Sequence, residues 1–309
     1  MSKKTAELLG GIQRFSTEDG PGIRTTVFFK GCPLNCQWCH NPELISSKPD
    51  LLYSKQKCIQ CGGCVNACPL HALRLQGNEI EIEREVCNRC GKCVENCYTE
   101  ALRFSGEATE DAALVELLAK DKGFYKETGG GVTFSGGEVT SQADYAYRIL
   151  QKCNDRKIGV AIDTCGYCRE EQLIKLCKPA EVILFDIKCM DDEKHKRLTG
   201  VSNQLIVDNL KKLCELPGIK EKIIVRLPLI HPVNDTKEDL IKVCNLLKQL
   251  GLEKVDGLPY HSLGTAKSRK LGEVPVEFET PPDACLDEIV ALFKGFGLSI
   301  RIMGRDEKE

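Results

Sequence analysis

The chain has 309 residues, enough for one large α/β domain or for a medium domain with a small passenger, each with a proper core. Its 43 basic and 45 acidic side chains are interspersed and leave a formal net charge of −2, so no basic stripe points to nucleic acid or to an anionic membrane. The start of the chain, Met1 to Glu7, runs into Leu8, Leu9, Gly10 and Gly11 without the apolar stretch of an export signal, and no later segment has the roughly eighteen apolar residues a membrane helix needs. A cytoplasmic protein with no membrane partner is expected.

In chain order, 25–30 reads as a first strand, and from about residue 110 onward short apolar or β-branched runs alternate with longer amphipathic stretches. The strands fall at 132–135, 158–163, 182–187, 223–227, 255–260 and 298–303. The helices fall at 111–120, 142–154, 170–178, 203–216, 237–250 and 282–296. Repeated strand-helix units predict a parallel sheet and hence a partial or full β/α barrel. The stretch 46–105 breaks the rhythm, being rich in cysteine and short apolar pieces. It reads as an insertion spanning 49–105, which divides the barrel domain into 1–48 and 106–309. So small a module cannot support itself on apolar burial, so bound metal clusters are expected to serve as its core.

Cysteine is the informative residue type. Nineteen of them in a chain without an export signal argue for metal or redox chemistry, because a reducing cytosol keeps thiols free. Eleven lie in three dense runs before residue 98, and the remaining eight are scattered. Two of the runs are Cys58-x2-Cys61-x2-Cys64-x3-Cys68-Pro69 and Cys87-x2-Cys90-x2-Cys93-x3-Cys97-Tyr98. This duplicated spacing is that of the bacterial two-cluster ferredoxins, in which each 4Fe-4S cubane takes three cysteines of one run and the last of the other. Cys58, Cys61, Cys64 and Cys97 are expected to hold one cluster, and Cys87, Cys90, Cys93 and Cys68 the other. A single four-thiolate zinc site would strand four thiols.

The third run is different. Cys32-x3-Cys36-x2-Cys39 offers three thiolates from one tight loop and no nearby fourth. A cubane held this way keeps one iron without a protein ligand, the iron-sulfur counterpart of an open catalytic metal position. His40 is an alternative fourth ligand, but it directly follows Cys39 and would have to turn back.

The segment from Arg14 through Asp19, Gly20, Pro21, Gly22 and Arg24 to the three cysteines and on to Glu43 closely resembles the signature of the glycyl-radical-enzyme activating enzymes, a branch of the radical S-adenosylmethionine (SAM) superfamily. The resemblance runs nearly end to end. It implies a partial, laterally open (β/α)6 barrel with an inserted ferredoxin-like α+β domain. It also implies an activity: SAM bound at the open iron of the Cys32, Cys36 and Cys39 cluster is cleaved reductively to methionine and a 5'-deoxyadenosyl radical, which takes a hydrogen from a glycine of a partner enzyme. A low-potential ferredoxin or flavodoxin is the implied reductant, and Asp19, Gly20, Pro21 and Gly22 the implied partner-facing loop.

Further positions match the family one by one. Gly136, Gly137 and Glu138 correspond to its SAM-amine motif, where glycines would let backbone groups approach the methionyl end. Asp163, Thr164 and Asp186, with the carbonyl of Leu184, correspond to a monovalent cation site beside the SAM carboxylate, for which oxygen ligands are suited. Lys188, Arg226 and His261 complete the implied SAM contacts. Cys32, Gly136, Asp163, Asp186, Arg226 and His261 all stand at or just past the end of a predicted strand, where β/α barrels carry active sites. Cys153, Cys177, Cys189, Cys214, Cys244 and Cys285 lie on or beside predicted helices and read as small packing residues. Cys165-x2-Cys168 could instead be a redox pair. Two rivals share parts of this pattern: a radical SAM enzyme acting on a small molecule, which would lack the Asp19 to Arg24 segment, and an electron carrier, which would leave the barrel motifs idle.

Overall fold

A computed structural model describes residues 7–305 of the chain. The reading of Met1 to Ala6 as free of an export signal lies outside the described residues. Twelve strands occur among them: β1 (Leu9–Ser16), β2 (Arg24–Phe29), β3 (Asp50–Tyr53), β4 (Leu73–Gln76), β5 (Glu79–Ile82), β6 (Leu102–Ser105), β7 (Gly131–Gly136), β8 (Val160–Thr164), β9 (Val182–Asp186), β10 (Ile223–Leu229), β11 (Lys254–Pro259) and β12 (Ser299–Ile302). Eight form one sheet in the order β1-β2-β7-β8-β9-β10-β11-β12. Every pairing from β2 to β12 is parallel. The order never returns to its start, so the barrel is open, with β1 and β12 as its edges. Six strands lead through helices to the next strand, and β12 closes the sixth unit. No helix among the described residues is long and apolar enough to cross a membrane.

The inner strands are buried on both faces, which is why they read as continuous apolar runs: Val160, Ala161 and Ile162 in β8, and Ile183, Leu184 and Phe185 in β9, are at most 1% exposed. The helix Ala143–Asp155 turns Ala146, Ile149, Leu150 and Cys153 to the sheet at helical spacing, and Cys177 and Cys244 are likewise fully buried in this core. β1 was not foreseen. It pairs antiparallel with β2, its register shifts twice, and most of its residues are exposed, so it lacks the alternation that marks a half-buried strand. The short helices Lys122–Thr128, Asp192–Thr199 and Leu263–Lys270 were also missed.

In the segment between the barrel's first strand and its next helix, β3 and β6 pair antiparallel and so bring its entry and exit together. Between them lie the β4–β5 hairpin and two short helices, Gly63–Ala67 and Lys92–Glu95. The two halves share a backbone as well as a spacing. Gln60 and Arg89 both have φ of 60°, Gly62 and Gly91 have 71° and 87°, and His71 and Glu100 have 51° and 53°. The small core contains Leu51, Ala72, Leu73, Ile80 and Leu102 together with the buried Cys64, Cys68 and Cys93. Lys30, at the end of β2, fastens this unit to the barrel. Its fully buried ammonium donates to the carbonyl of Glu43 at 2.6 Å and to Asp50 Oδ2 at 3.2 Å.

The turn after β7 sets the relation between three strands. Gly137 N donates to the carbonyl of Phe29 at 2.8 Å, and Glu138 N to that of Gly31 at 2.7 Å. Both glycines are demanded by this approach: a Cβ on Gly136 would lie 2.2 Å from Phe29 O, and one on Gly137 would lie 2.5 Å from Leu44 O. Glu138 itself is 2% exposed. Its Oε1 accepts from Thr140 N at 3.0 Å, Thr140 Oγ1 at 2.8 Å and Thr164 Oγ1 at 2.7 Å, while Oε2 accepts from Cys165 N at 2.7 Å. A carboxylate can satisfy all four donors, whereas an amide can offer only one oxygen. Glu138→Gln is therefore expected to leave a buried N–H facing a donor and to cost about 1–3 kcal/mol. Anaerobic denaturant unfolding of the cluster-loaded protein measures this, and an unshifted midpoint would remove Glu138 from this role.

Candidate active site

Beyond β2, Lys30 to Asn41 crosses the C-terminal edge of the sheet. Cys32 N donates to the carbonyl of Ile45, Asn35 N to that of Thr199 and Gln37 N to that of Leu198, at 2.8–3.0 Å, so both flanks of the loop are tied to the barrel. Trp38 anchors it from below, packing with Leu198, Ile230 and Tyr260. Cys32, Cys36 and Cys39, half-buried residues whose thiols are largely desolvated, line a single cleft. Its walls bring in Asp19 from the loop after β1, Gly136, Gly137, Glu138, Asp163, Thr164, Asp186 and Lys188 from the ends of β7, β8 and β9, and Arg226, which stands in the middle of β10 and not at the strand end expected for it. Burial pushes the thiol of Cys36 up to about 12, and burial with the Glu138 carboxylate pushes that of Cys32 up further. Such thiols lose their protons when cationic iron takes the proton's place. Three sulfur donors from one loop fit a 4Fe-4S cluster that keeps one iron open, and Cys165, from beyond β8, lines the same cleft with its backbone N–H donating to Glu138.

The opposite wall is a compact charge cluster. Lys188 Nζ donates to Asp186 Oδ2 at 2.6 Å; burial alone would lower its pKa, but Asp186 and Cys36 outweigh burial and raise it. Ser135 Oγ donates to Asp163 Oδ2 at 2.6 Å, and Arg226 Nη1 stands 3.5 Å from the same oxygen. Burial, reinforced by Asp186, raises Asp163 above the usual carboxylate range in spite of Arg226. Asp163 Oδ1 is buried without a hydrogen-bond partner among the described residues. That free acceptor fits a cation or a ligand donor. The carbonyl-bearing Leu184 is its register partner on β9.

Not every expected residue reaches the cleft in the same way. Tyr260 lines it, whereas His261 is exposed and stacks on His40 with ring centroids 3.8 Å apart. Asp19 also lines it, with Oδ2 accepting from Ser16 Oγ and Thr26 Oγ1 at 2.6 Å each. Gly20 is buried, Gly22 packs against Thr128 and Gly130, and exposed Pro21 is left at the rim. The buried Arg24 holds this loop by donating to the carbonyl of Pro21 at 3.1 Å, and burial lowers its pKa to about 10. Ser135 and Tyr260 were missed as site residues although each adjoins a motif position. In the insert, one cavity is lined by Cys58, Cys61, Cys64 and Cys97 and a second by Cys68, Cys87, Cys90 and Cys93. Cys165 and Cys168 are both free thiols, and Cys165 lines the main cleft.

The family model of the radical SAM superfamily matches residues 87–247, and that of the 4Fe-4S dicluster domain matches residues 50–98. The chain is 42% identical to the trans-4-hydroxy-L-proline dehydratase activating enzyme of Clostridioides difficile, across 96% of this chain and 99% of that protein. It is 36% identical to the choline trimethylamine-lyase activating enzyme of Oleidesulfovibrio alaskensis, across 96% and 97%. A radical SAM methyltransferase from Sphaerobacter thermophilus shares the fold, with a TM-score of 0.53 at 14% identity over 95% of this chain and 76% of that one. With the cysteine loop, the charged wall and the barrel strand ends already in place, these likenesses decide the matter: the chain belongs to the radical SAM superfamily, in its branch of glycyl-radical-enzyme activating enzymes.

Proposed function

We propose that Cys32, Cys36 and Cys39 hold a 4Fe-4S cluster with one iron open to SAM, and that two more 4Fe-4S clusters occupy the insert, in a division of the chain into a barrel of 1–48 and 106–309 and a module of 49–105. The protein activates a partner glycyl radical enzyme: it cleaves SAM reductively to methionine and a 5'-deoxyadenosyl radical, which abstracts a hydrogen from a backbone glycine. The observation that carries the residue assignment is the single cleft joining three thiols, a glycine turn and a charged wall.

Within that cleft the chain's own groups divide the task of holding SAM. Gly137 N and Glu138 N are already engaged with Phe29 and Gly31, so this turn would meet the methionyl ammonium through backbone carbonyls and not through its N–H groups. Lys188 and Arg226 supply positive charge for the methionyl carboxylate. Asp163 Oδ1, Asp186, Thr164 and the Leu184 carbonyl are suited to a monovalent cation beside it. His261 acts through its stacking on His40. Asp19 to Gly22 forms the rim that receives the partner's glycyl loop, which must leave its own fold to reach the cleft. A low-potential ferredoxin or flavodoxin supplies the electron, and the nineteen unbridged cysteines suit a reducing cytoplasm.

Three outcomes test these assignments. Anaerobic reconstitution is expected to load about twelve irons; Cys32→Ala, Cys36→Ala and Cys39→Ala combined should remove about four of them and all SAM cleavage, and cleavage that survives would place the open cluster elsewhere. Replacing sodium and potassium by a bulky tetraalkylammonium should weaken SAM binding measured by calorimetry, and unchanged affinity would dismiss the cation. Finally, incubation with SAM, reductant and a candidate partner, beginning with trans-4-hydroxy-L-proline dehydratase and choline trimethylamine-lyase, should give a glycine-centred EPR doublet with 5'-deoxyadenosine. Formation of 5'-deoxyadenosine with a modified metabolite and no protein radical would favour the small-molecule rival.

A further inference from the structure

Away from the cleft, three side chains from two separate parts of the chain converge on one point. His231 and Asp235 lie in the loop that follows β10, and Cys285 lies in the first turn of the helix Asp283–Gly295. His231 Nδ1 is 2.8 Å from Asp235 Oδ2, Cys285 Sγ is 3.5 Å from that oxygen, and Sγ is 3.8 Å from Nδ1. We propose that His231, Asp235 and Cys285 form a site for one divalent ion of zinc's kind, separate from the iron-sulfur clusters.

The donor set is one sulfur, one imidazole nitrogen and one carboxylate oxygen, each of a type that zinc takes. With zinc bonds of about 2.3 Å to sulfur and about 2.0–2.1 Å to nitrogen and oxygen, tetrahedral angles place the donors about 3.5 Å apart along the sulfur edges and about 3.3 Å apart along the nitrogen-oxygen edge. The observed sulfur edges, 3.5 and 3.8 Å, stand close to those values, and only the 2.8 Å nitrogen-oxygen contact must open by about half an ångström. Asp235 is the anchor, its side chain only 2% exposed, while His231 is 28% exposed and has room to turn. Glu288 borders the same cavity as Asp235 and Cys285, and a water would take the fourth position. Lys237 is the one ammonium group lining that cavity among the described residues, against the carboxylates of Asp235 and Glu288.

Such an ion would join the β10 loop to the last helix. The same loop carries Ile230 of the cleft wall, and Asn234, whose side-chain amide donates to the carbonyls of Pro228 and Lys188 at 2.7 Å each. Metal at the outer end of the loop would therefore steady the backbone that presents Lys188 to the cleft.

The test uses the fully reconstituted enzyme, equilibrated anaerobically with one equivalent of zinc and freed of excess by gel filtration. Elemental analysis should find about one zinc per chain with the iron content unchanged, and zinc-edge X-ray absorption should show a single sulfur at about 2.3 Å among nitrogen and oxygen neighbours. Cys285→Ser and His231→Asn should each lower zinc affinity at least about 100-fold, exceeding the 10–100-fold cost of losing a group that only supports a ligand. A shell of three or four sulfurs would mean zinc had entered the cluster cysteines, and it would overturn the proposal. So would zinc-free wild-type protein, or variants that retain zinc. The wild-type absorption spectrum decides the question even where a variant fails to fold.

Discussion

The cleft depends on two backbone hydrogen bonds, Gly137 N to Phe29 O and Glu138 N to Gly31 O, which dock the turn after β7 on the entrance to the three-cysteine loop. Parallel pairing of β2 with β7 brings the two strand ends level, with Phe29 opposite Gly136, but pairing stops there and only these bonds continue the contact into the loops. The side chain of Glu138 then reaches the other way, to Thr164 and Cys165 beyond β8. One residue thus fixes the order cysteine loop, glycine turn, Asp163–Thr164 across three strand ends. Its carboxylate is spent on protein donors, so its part at the site is to hold other groups in place.

Charge balance in the cleft follows from that geometry. Asp163 and Asp186 stand on adjacent strands, each with a cation beside it, Arg226 and Lys188. Burying these charges is costly; a near cation offsets the cost for each carboxylate, incompletely at Asp163, which burial still raises above the usual carboxylate range. Lys188 and Arg226 both end up with raised pKa values despite burial, and so remain charged across the neutral range. The thiols behave oppositely. Burial holds them protonated, which couples their ionisation to the arrival of metal.

Much of this was legible in the sequence because it depends on periodicity and spacing. Apolar runs located every parallel strand, and the x2, x2, x3 repeat grouped the insert's cysteines in the crossed sets that now line its two cavities. What stayed hidden depends on tertiary contact. β1 carries two glycines and mostly exposed side chains, and only its edge pairing with β2 makes it a strand. The glycines of the β7 turn were assigned to ligand approach, yet the atoms that exclude a side chain there belong to Phe29, Gly31 and Leu44. His261 and Tyr260 are neighbours in sequence, and which of them faces the cleft is a matter of the backbone's direction at the end of β11. Cys285 read as a packing residue because its partners His231 and Asp235 lie about fifty positions away in the chain.

The two parts of the molecule also differ in what holds them together. The barrel's core is a continuous apolar cluster reaching from Leu9 to Ile302, and it needs no metal to exclude water. The insert's core cluster has only five buried apolar side chains and three buried cysteines, with short two-stranded sheets that would be marginal alone. Binding energy from metal there is folding energy. Lys30 connects the two regimes, since its buried ammonium is balanced by Asp50 at the first residue of β3. Loss of order in the insert would leave that charge without its carboxylate, two residues before Cys32. The order of the insert is therefore tied, through this one buried ion pair, to the backbone that leaves β2 for the three-cysteine loop.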